Sequence, residues 1–188
     1  MQCNIDKTSI RKGMKEKRKS LTREEIMSKS RAICTAFAML EEFLTANTVC
    51  VYMSAFNEVE TEQIISLCQS LGKTVAVPVV DGEDIYLSEL TDELDRGAFG
   101  IREPVDKKTI PAETVDIFAV PALAFDKSGA RVGFGKGYYD KLLKNASAVK
   151  AGLCYGFQLA EKIPVENHDI LMDYIITENE TVFCERNS

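Results

Sequence analysis

Three consecutive segments constrain the fold of this chain more than any others. Thr48 to Met53 is a short apolar run of strand character, and Val75 to Val80 is a second. Between them, after a polar loop, Thr61 can cap a helix that carries Ile64, Ile65, Leu67, Cys68 and Leu71 and is ended by Gly72. Strand, helix and strand at this spacing make a βαβ unit. Its strands have to pair in parallel, through a right-handed crossover.

The rest of the chain extends that unit. Residues 6 to 20 read as a helix on which Lys7, Arg11 and Lys15 share one face and Ile10 and Met14 another. Thr22 with Glu25 forms a capping box for a second helix, with an apolar stripe of Ile26, Ile33, Phe37, Leu40 and Leu44. Asp84 to Leu90 reads as a further strand, Asp92 to Val105 as irregular, and Asp116 to Val120 as a buried central strand. Ala151 to Tyr155 and Tyr174 to Thr177 add two strands, with Thr181 to Cys184 at an edge. Without repeats or linkers, 188 residues at 45% hydrophobic content suit one domain spanning residues 1–188. The expected architecture is α/β: a three-layer α/β/α sandwich over a largely parallel sheet.

In such sheets ligands sit beyond the carboxyl ends of the strands. Tyr52 to Glu58, Arg131 to Asp140 and Gln158 to Asp169 each follow a strand, so three regions converge on one crevice. The middle one is the richest in chemistry. Gly133, Gly135 and Gly137 alternate with Phe134 and Lys136, which lets backbone amides approach an anion with no Cβ in the way. Tyr138 to Leu143 starts a helix behind them, Arg131 and Lys136 add full charges, and Asp140 suits Mg²⁺, a hard cation that prefers carboxylate and phosphate oxygens. The spacing matches neither the Walker A loop nor the dinucleotide fingerprint. The glycines alone fit a strand-to-helix turn as well as a phosphate cradle; the two tyrosines and the carboxylate behind them favour a site.

Charge and cysteine usage exclude other classes. Residues 1 to 23 carry eight Lys/Arg against Asp6 and Glu16, a local +6, while the remainder carries fifteen cations against twenty-seven acids, or −12. A basic patch on an acidic body suits an anionic small molecule better than nucleic acid. The longest apolar run, Ile117 to Phe125, is nine residues and contains Pro121, and no basic-then-apolar leader is present, so a membrane span and secretion are not expected. Cys3, Cys34, Cys50, Cys68, Cys154 and Cys184 form no CxxC pair, and His168 is the lone histidine. A zinc site and a disulfide framework are both unsupported; reduced core thiols in a cytoplasmic protein are expected.

The run Val120 to Asp140, which reads VPALAFDKSGARVGFGKGYYD, closely resembles the signature of the 5-formyltetrahydrofolate cyclo-ligase family, also called methenyltetrahydrofolate synthetases. Lys7 and Arg11, Tyr52-Met-Ser with Glu58-Val-Glu-Thr61, Arg102-Glu-Pro104, Ile163-Pro, His168-Asp169 and Asp173 match in order, over almost the whole chain. The resemblance implies a doubly wound fold related to ribose-phosphate isomerases and CoA transferases. It implies an ATP- and Mg²⁺-dependent closure of 5-formyltetrahydrofolate to 5,10-methenyltetrahydrofolate, with ADP and phosphate released. The folate substrate carries one glutamate or several; no nucleic acid, membrane or obligatory oligomer enters.

Site roles follow from the same resemblance. Lys7, Arg11, Arg131, Val132, Gly133, Phe134, Gly135, Lys136, Gly137, Tyr138 and Tyr139 contact ATP, and Asp140 and Asp169 hold Mg²⁺. Lys136 meets the transferring phosphoryl group and Arg131 the remaining phosphates. Arg11, Met53, Glu58, Phe134, Gly135, Lys136, Gly137 and Tyr138 face the folate, with Glu58 accepting from the pterin amino group and its neighbouring ring N–H. Phe56, Phe134 and Tyr138 have flat faces for ring stacking, and Arg102 is placed at the glutamate tail. His168 is expected in a structural or capping role. Asp169 and Asp173, four apart, share a face if that segment is helical. Phe134 and Lys136 stand where relatives also carry other residues, which ties the phosphoryl-transfer role of Lys136 to members bearing Lys there. Two other readings suit the same fold: a phosphosugar isomerase or CoA transferase, needing a base or glutamyl nucleophile and no ATP, and a non-catalytic folate- or nucleotide-binding module.

Overall fold

The computed structural model describes residues 6–184 and begins with helix α1, Lys7–Lys19, capped by Asp6, whose Oδ1 accepts from Ser9 N at 2.7 Å. The Thr22–Glu25 capping box is present and starts α2, Arg23–Ala38. Its apolar stripe does not run on to Leu44. Met39 caps α2, Leu40 is extended, and a separate turn α3, Glu41–Thr45, leaves Leu44 59% exposed. The break rotates the register by one residue, so Phe43 enters the core and meets Phe37 edge-on at 5.4 Å.

β1 (Thr48–Cys50) is shorter than its apolar run, because Tyr52 and its successors leave the sheet to form a loop wall. Thr61 does not cap α4 (Glu62–Ser70) through its side chain; its hydroxyl donates to Tyr52 O at 2.7 Å and ties the returning loop to the strand. Gly72 does end the helix. At φ +66° it donates to Gln69 O while Lys73 N donates to Cys68 O, the paired bonds of a Schellman cap. β2 (Thr74–Asp81) and β3 (Asp84–Glu89) then form a hairpin about Gly82. The 92–105 stretch is not irregular: β4 (Leu94–Arg96) pairs with β5 (Arg102–Pro104) across a turn that holds Phe99 at φ +59°. Strands this short carry too little alternation to stand out in sequence.

β6 (Thr109–Ile110), β7 (Ile117–Pro121), β8 (Ala124–Asp126) and β9 (Arg131–Val132) follow, then α5 (Tyr138–Leu143), β10 (Val149–Leu153), β11 (Leu159–Ala160), β12 (Tyr174–Ile176) and β13 (Thr181–Phe183). The main sheet has the order β13-β12-β10-β7-β1-β2-β3-β6, with β12, β10, β7, β1 and β2 parallel and the remaining strands antiparallel at the edges. β7 is central, as expected, and Ile117 to Val120 are wholly buried. One face receives Ile33, Phe37, Phe43 and Ile64 from α2, α3 and α4. The other receives Leu142 and Leu143 of α5.

Part of that second layer is a small sheet, β11-β8-β9. Its Phe125 lies directly on β10 because residue 152 is glycine. A Cβ there would stand 2.5 Å from the Phe125 ring. α1 covers the small sheet in turn, with Ile10 packed among Ala124, Ala130, Val132 and Ile163. The cysteines at 34, 50, 68, 154 and 184 are buried free thiols, and burial pushes Cys34 up to about 12; Cys3 lies outside the described residues. Among the described residues no helix is long and apolar enough to cross a membrane.

Gly152→Ala is therefore expected to destabilise the protein by about 1–3 kcal/mol through overpacking against Phe125. Chemical denaturation checks this: an unchanged midpoint would show that the Phe125 contact does not set the spacing of the two sheets.

Candidate active site

Beyond the carboxyl ends of β1, β2 and β7 lies one crevice of about 830 Å³, within the range of small-molecule sites. Its walls are one face of α1, the loop after β1, the glycine loop leading into α5, and residues 166 to 169. Except for Arg102, the residues assigned to ATP, folate or metal from the sequence line it. Val132 does so with a side chain buried in the α1 cluster, so what it can offer a ligand is backbone.

The glycine loop is held open by fixed ties at both ends. Gly135 and Gly137 have φ of +100° and +69°, a region a Cβ disfavours. Arg11 Nε donates to Gly133 O at 3.0 Å, and its guanidinium lies beside Gly135. On the far side Tyr138 Oη donates to Gly82 O at 2.9 Å and Lys141 Nζ to Glu83 O at 2.8 Å, clamping α5 to the β2–β3 turn. Lys136, at the loop's apex, is exposed and makes no hydrogen bond or ion pair within the described residues. Arg131 is buried beneath the loop. Its Nη2 donates to Asp140 Oδ1 at 2.5 Å, while its Nε is buried without any hydrogen-bond partner.

The two candidate metal carboxylates share a pattern. Asp140 gives Oδ1 to Arg131; Asp169 gives Oδ2 to Lys7 Nζ at 2.7 Å and to Glu166 N at 2.8 Å. Each thus commits one oxygen to the protein and keeps acceptor capacity on the other. Burial acts to raise the Asp169 carboxyl, but Lys7 and the Glu166 amide outweigh it and hold the group below its ordinary value. Lys7 moves oppositely: burial lowers it, yet Asp169 and Glu166 hold it above the usual lysine range. No group of three or more His, Cys, Asp or Glu placed to hold a metal ion occurs among the described residues. Two carboxylates with phosphate oxygens suffice for Mg²⁺.

Glu58 is 8% exposed. Its Oε2 accepts from Ala55 N at 3.1 Å, while Oε1 is 3.7 Å from Arg18 Nη1, an ion pair too long for a hydrogen bond. Burial raises its carboxyl above the ordinary value and Arg18 opposes the rise. Beside it the Phe56 and Phe134 rings are 6.2 Å apart, with Lys15 Nζ 5.3 Å from the Phe134 centroid. Met53 lines the same end, half-buried.

Three expectations need correction. Residues 169 to 173 are not helical; Asp173 accepts from Lys150 N at 2.9 Å and serves the sheet, away from the crevice lining. Arg102 is exposed on β5 outside the lining, and its neighbour Glu103 faces the crevice instead. His168 caps nothing, since Asp169 accepts from Glu166 N in that turn; the imidazole is exposed at the crevice rim, 3.9 Å from both carboxylates. Sequence reasoning missed Arg18 and Phe99, both in the lining. Arg18 continues the face of Lys7, Arg11 and Lys15 by one more turn, a signal that was present. Phe99 needed the β4–β5 hairpin, which was not foreseen.

The geometry agrees with three comparisons. The profile of the 5-formyltetrahydrofolate cyclo-ligase family matches residues 4–178. The 5-formyltetrahydrofolate cyclo-ligase of Escherichia coli K12 is 30% identical over 174 residues, covering 87% of this chain and 96% of its own. The NMR structure of the Aquifex aeolicus 5,10-methenyltetrahydrofolate synthetase matches with a TM-score of 0.86 at 35% identity, over 97% of this chain and 94% of that one. A synthetase of the same name from Mycoplasma pneumoniae matches at 0.78 and 24% identity, over 93% and 99% of the two chains, which supports the fold.

The depressed Asp169 carboxyl contributes stability that is complete above its ordinary value of 3.8 and is gone once the pH falls below its lower folded value. Hydrogen exchange in α1, taken relative to the intrinsic amide rate at each pH, is therefore expected to accelerate below pH 3.8. In Asp169→Asn it should be faster at neutral pH and show no such acid step; an identical acid step in the variant would remove Lys7–Asp169 as its source.

Proposed function

Because this chain belongs to the 5-formyltetrahydrofolate cyclo-ligase family and is an enzyme of that activity, we propose that its crevice couples ATP cleavage to ring closure of 5-formyltetrahydrofolate. The observation that carries this reading is that the glycine loop with unpartnered Lys136 and the buried Glu58 with its aromatic neighbours face one cavity. Each half suits a different substrate. A phosphoryl donor and its acceptor have to be adjacent for in-line transfer.

A formamide oxygen leaves poorly. Transfer of the γ-phosphoryl group of ATP to that oxygen releases ADP and leaves an imidate-like phosphate. N10 then attacks the formyl carbon and loses its proton, the C–O bond breaks, and inorganic phosphate departs with 5,10-methenyltetrahydrofolate remaining. The chain's own work is positioning and charge. Lys136, without a partner among the described residues, tracks the migrating phosphoryl group, and Arg131, in the crevice wall, holds the other phosphates with its guanidinium. Lys7 and Arg11 complete the cationic wall. Mg²⁺, when bound, neutralises phosphate oxygens; the spare oxygens of Asp140 and Asp169 fit it. Ionised Glu58 accepts the paired N–H donors of the pterin, and Phe56, Phe134 and Tyr138 give its ring flat faces. Met53 closes the folate end. We place the enzyme in the cytoplasm, where buried free thiols stay reduced.

Purified protein with 5-formyltetrahydrofolate and Mg·ATP is expected to generate the near-ultraviolet absorbance of the methenyl product, and none when ATP is omitted or Mg²⁺ chelated. No ATP-dependent signal would sink the reading. Lys136→Ala is expected to lower kcat on the order of 10²-fold, about 3 kcal/mol of transition-state stabilisation, with the fold intact; full turnover would refute its role.

A further inference from the structure

We infer that Arg18 is a positioning residue for the folate end of the crevice: it pins the backbone turn that presents Phe56 and serves as the counter-charge of Glu58. The inference rests on the proposed role of Glu58 as an acceptor for the folate ring. Arg18 is 2% exposed in the last turn of α1, and few arginines are buried so deeply without a specific partner set. Its Nε and Nη2 both donate to a single acceptor, Phe56 O, at 3.1 and 2.7 Å. Asn57 Nδ2 donates back to Arg18 O at 3.0 Å, so the helix and the loop grip each other in both directions.

That grip holds an unusual backbone. Phe56 and Asn57 have φ of +52° and +56°, two successive left-handed residues, neither of them glycine. Asn tolerates this region; a bulky Phe does not adopt it unless its surroundings compel it. The result is a reversal that leaves Phe56 61% exposed within the crevice lining, its ring facing Phe134, and brings Ala55 N onto Glu58 Oε2. The Arg18 guanidinium also lies over the Phe134 ring, 5.6 Å from its centroid. An arginine that served stability alone would satisfy its charge with short carboxylate bonds. Here both short bonds go to the strained turn, and Nη1 stays 3.7 Å from Glu58, where it opposes the rise that burial imposes on that carboxyl and leaves Oε1 without a short bond.

The charges around Glu58 simplify the pH behaviour. From α1 it faces Arg18; Tyr52 beyond β1, Tyr139 of α5 and Tyr155 beyond β10 are the other titratable groups acting with it. Burial keeps all three phenols protonated through the neutral range. Removing the Arg18 charge leaves burial unopposed, so Glu58 would ionise only at higher pH.

Steady-state kinetics over pH, on wild type, Arg18→Met, Arg18→Lys and Asn57→Gly, test this. In Arg18→Met the KM for 5-formyltetrahydrofolate is expected to rise at least tenfold and the acid limb of kcat/KM to move to higher pH, with the KM for ATP within twofold. Arg18→Lys should return the acid limb toward wild type but leave the folate KM raised, because one ammonium cannot reproduce the two planar donors. Asn57→Gly should raise the folate KM without moving the limb. A folded Arg18→Met with folate KM and acid limb like wild type overturns the inference; if that variant does not fold, unchanged folate KM in both Arg18→Lys and Asn57→Gly does so. Wild type without ATP-dependent turnover would fail the functional reading, and this inference with it. Intact turnover with unaltered variants fails this inference alone.

Discussion

The carboxylate of Asp126 is the junction on which the site depends. It is 2% exposed, and both of its oxygens are engaged. Oδ1 accepts from Ser128 N, Ser128 Oγ and Ala130 N at 2.9, 2.6 and 3.2 Å, and Oδ2 from Ile163 N at 2.7 Å. Removing a carboxylate from water costs several kcal/mol unless such bonds replace its hydration. Here the replacement donors come from two distant segments. One is the β8–β9 hairpin, which delivers Arg131, the glycine loop and Asp140; the other leads to Glu166 and Asp169. A single buried acid thus fixes the relative position of two carboxylates that lie 29 residues apart in sequence, Asp140 and Asp169.

Without ligands, the crevice neutralises its charges pairwise: Lys7 with Asp169, Arg131 with Asp140, Arg18 with Glu58. Each pair leaves something unspent. Asp140 and Asp169 retain an oxygen apiece, Arg131 retains Nε, and Glu58 retains Oε1. Such partial satisfaction orients the side chains before ligands arrive, which is the condition for electrostatic stabilisation that needs no rearrangement during the reaction.

Much of this was legible because it is local. The βαβ unit showed in the periodicity of Ile64, Ile65 and Cys68 between two apolar runs, the start of α2 in its capping box, and the end of α4 in Gly72. The glycine loop showed its candidate residues within ten consecutive positions, Arg131 to Asp140. What was hidden depends on tertiary contact. No glycine or proline marks the break at Met39 and Leu40; it exists because Phe43 fills a place beside Phe37 that Leu44 cannot reach. Asp169 and Asp173 have the spacing of a helix face, but Asp173 is claimed by the β10 backbone, 23 residues away. Arg18 and Phe56 O are 38 residues apart, and nothing local links them.

The basic N-terminal segment shows how such long-range ties can still be read in hindsight. Few of α1's residues are buried, and only Ile10 among its apolar ones, so hydrophobic packing alone orients the helix weakly. Its position comes instead from three polar contacts: Lys7 to Asp169, Arg11 to Gly133 O and Arg18 to Phe56 O. At 3.6 residues per turn, positions 7, 11 and 18 fall within about 40° of one another, spread over roughly 16 Å of helix. One narrow face therefore touches the 166–169 segment, the glycine loop and the turn after β1 in succession. Lys12 and Lys17 point away from that face by the same arithmetic, and both are exposed. The local charge of +6 is thus two populations, a row of cations that joins three walls into a single crevice and a remainder that faces solvent.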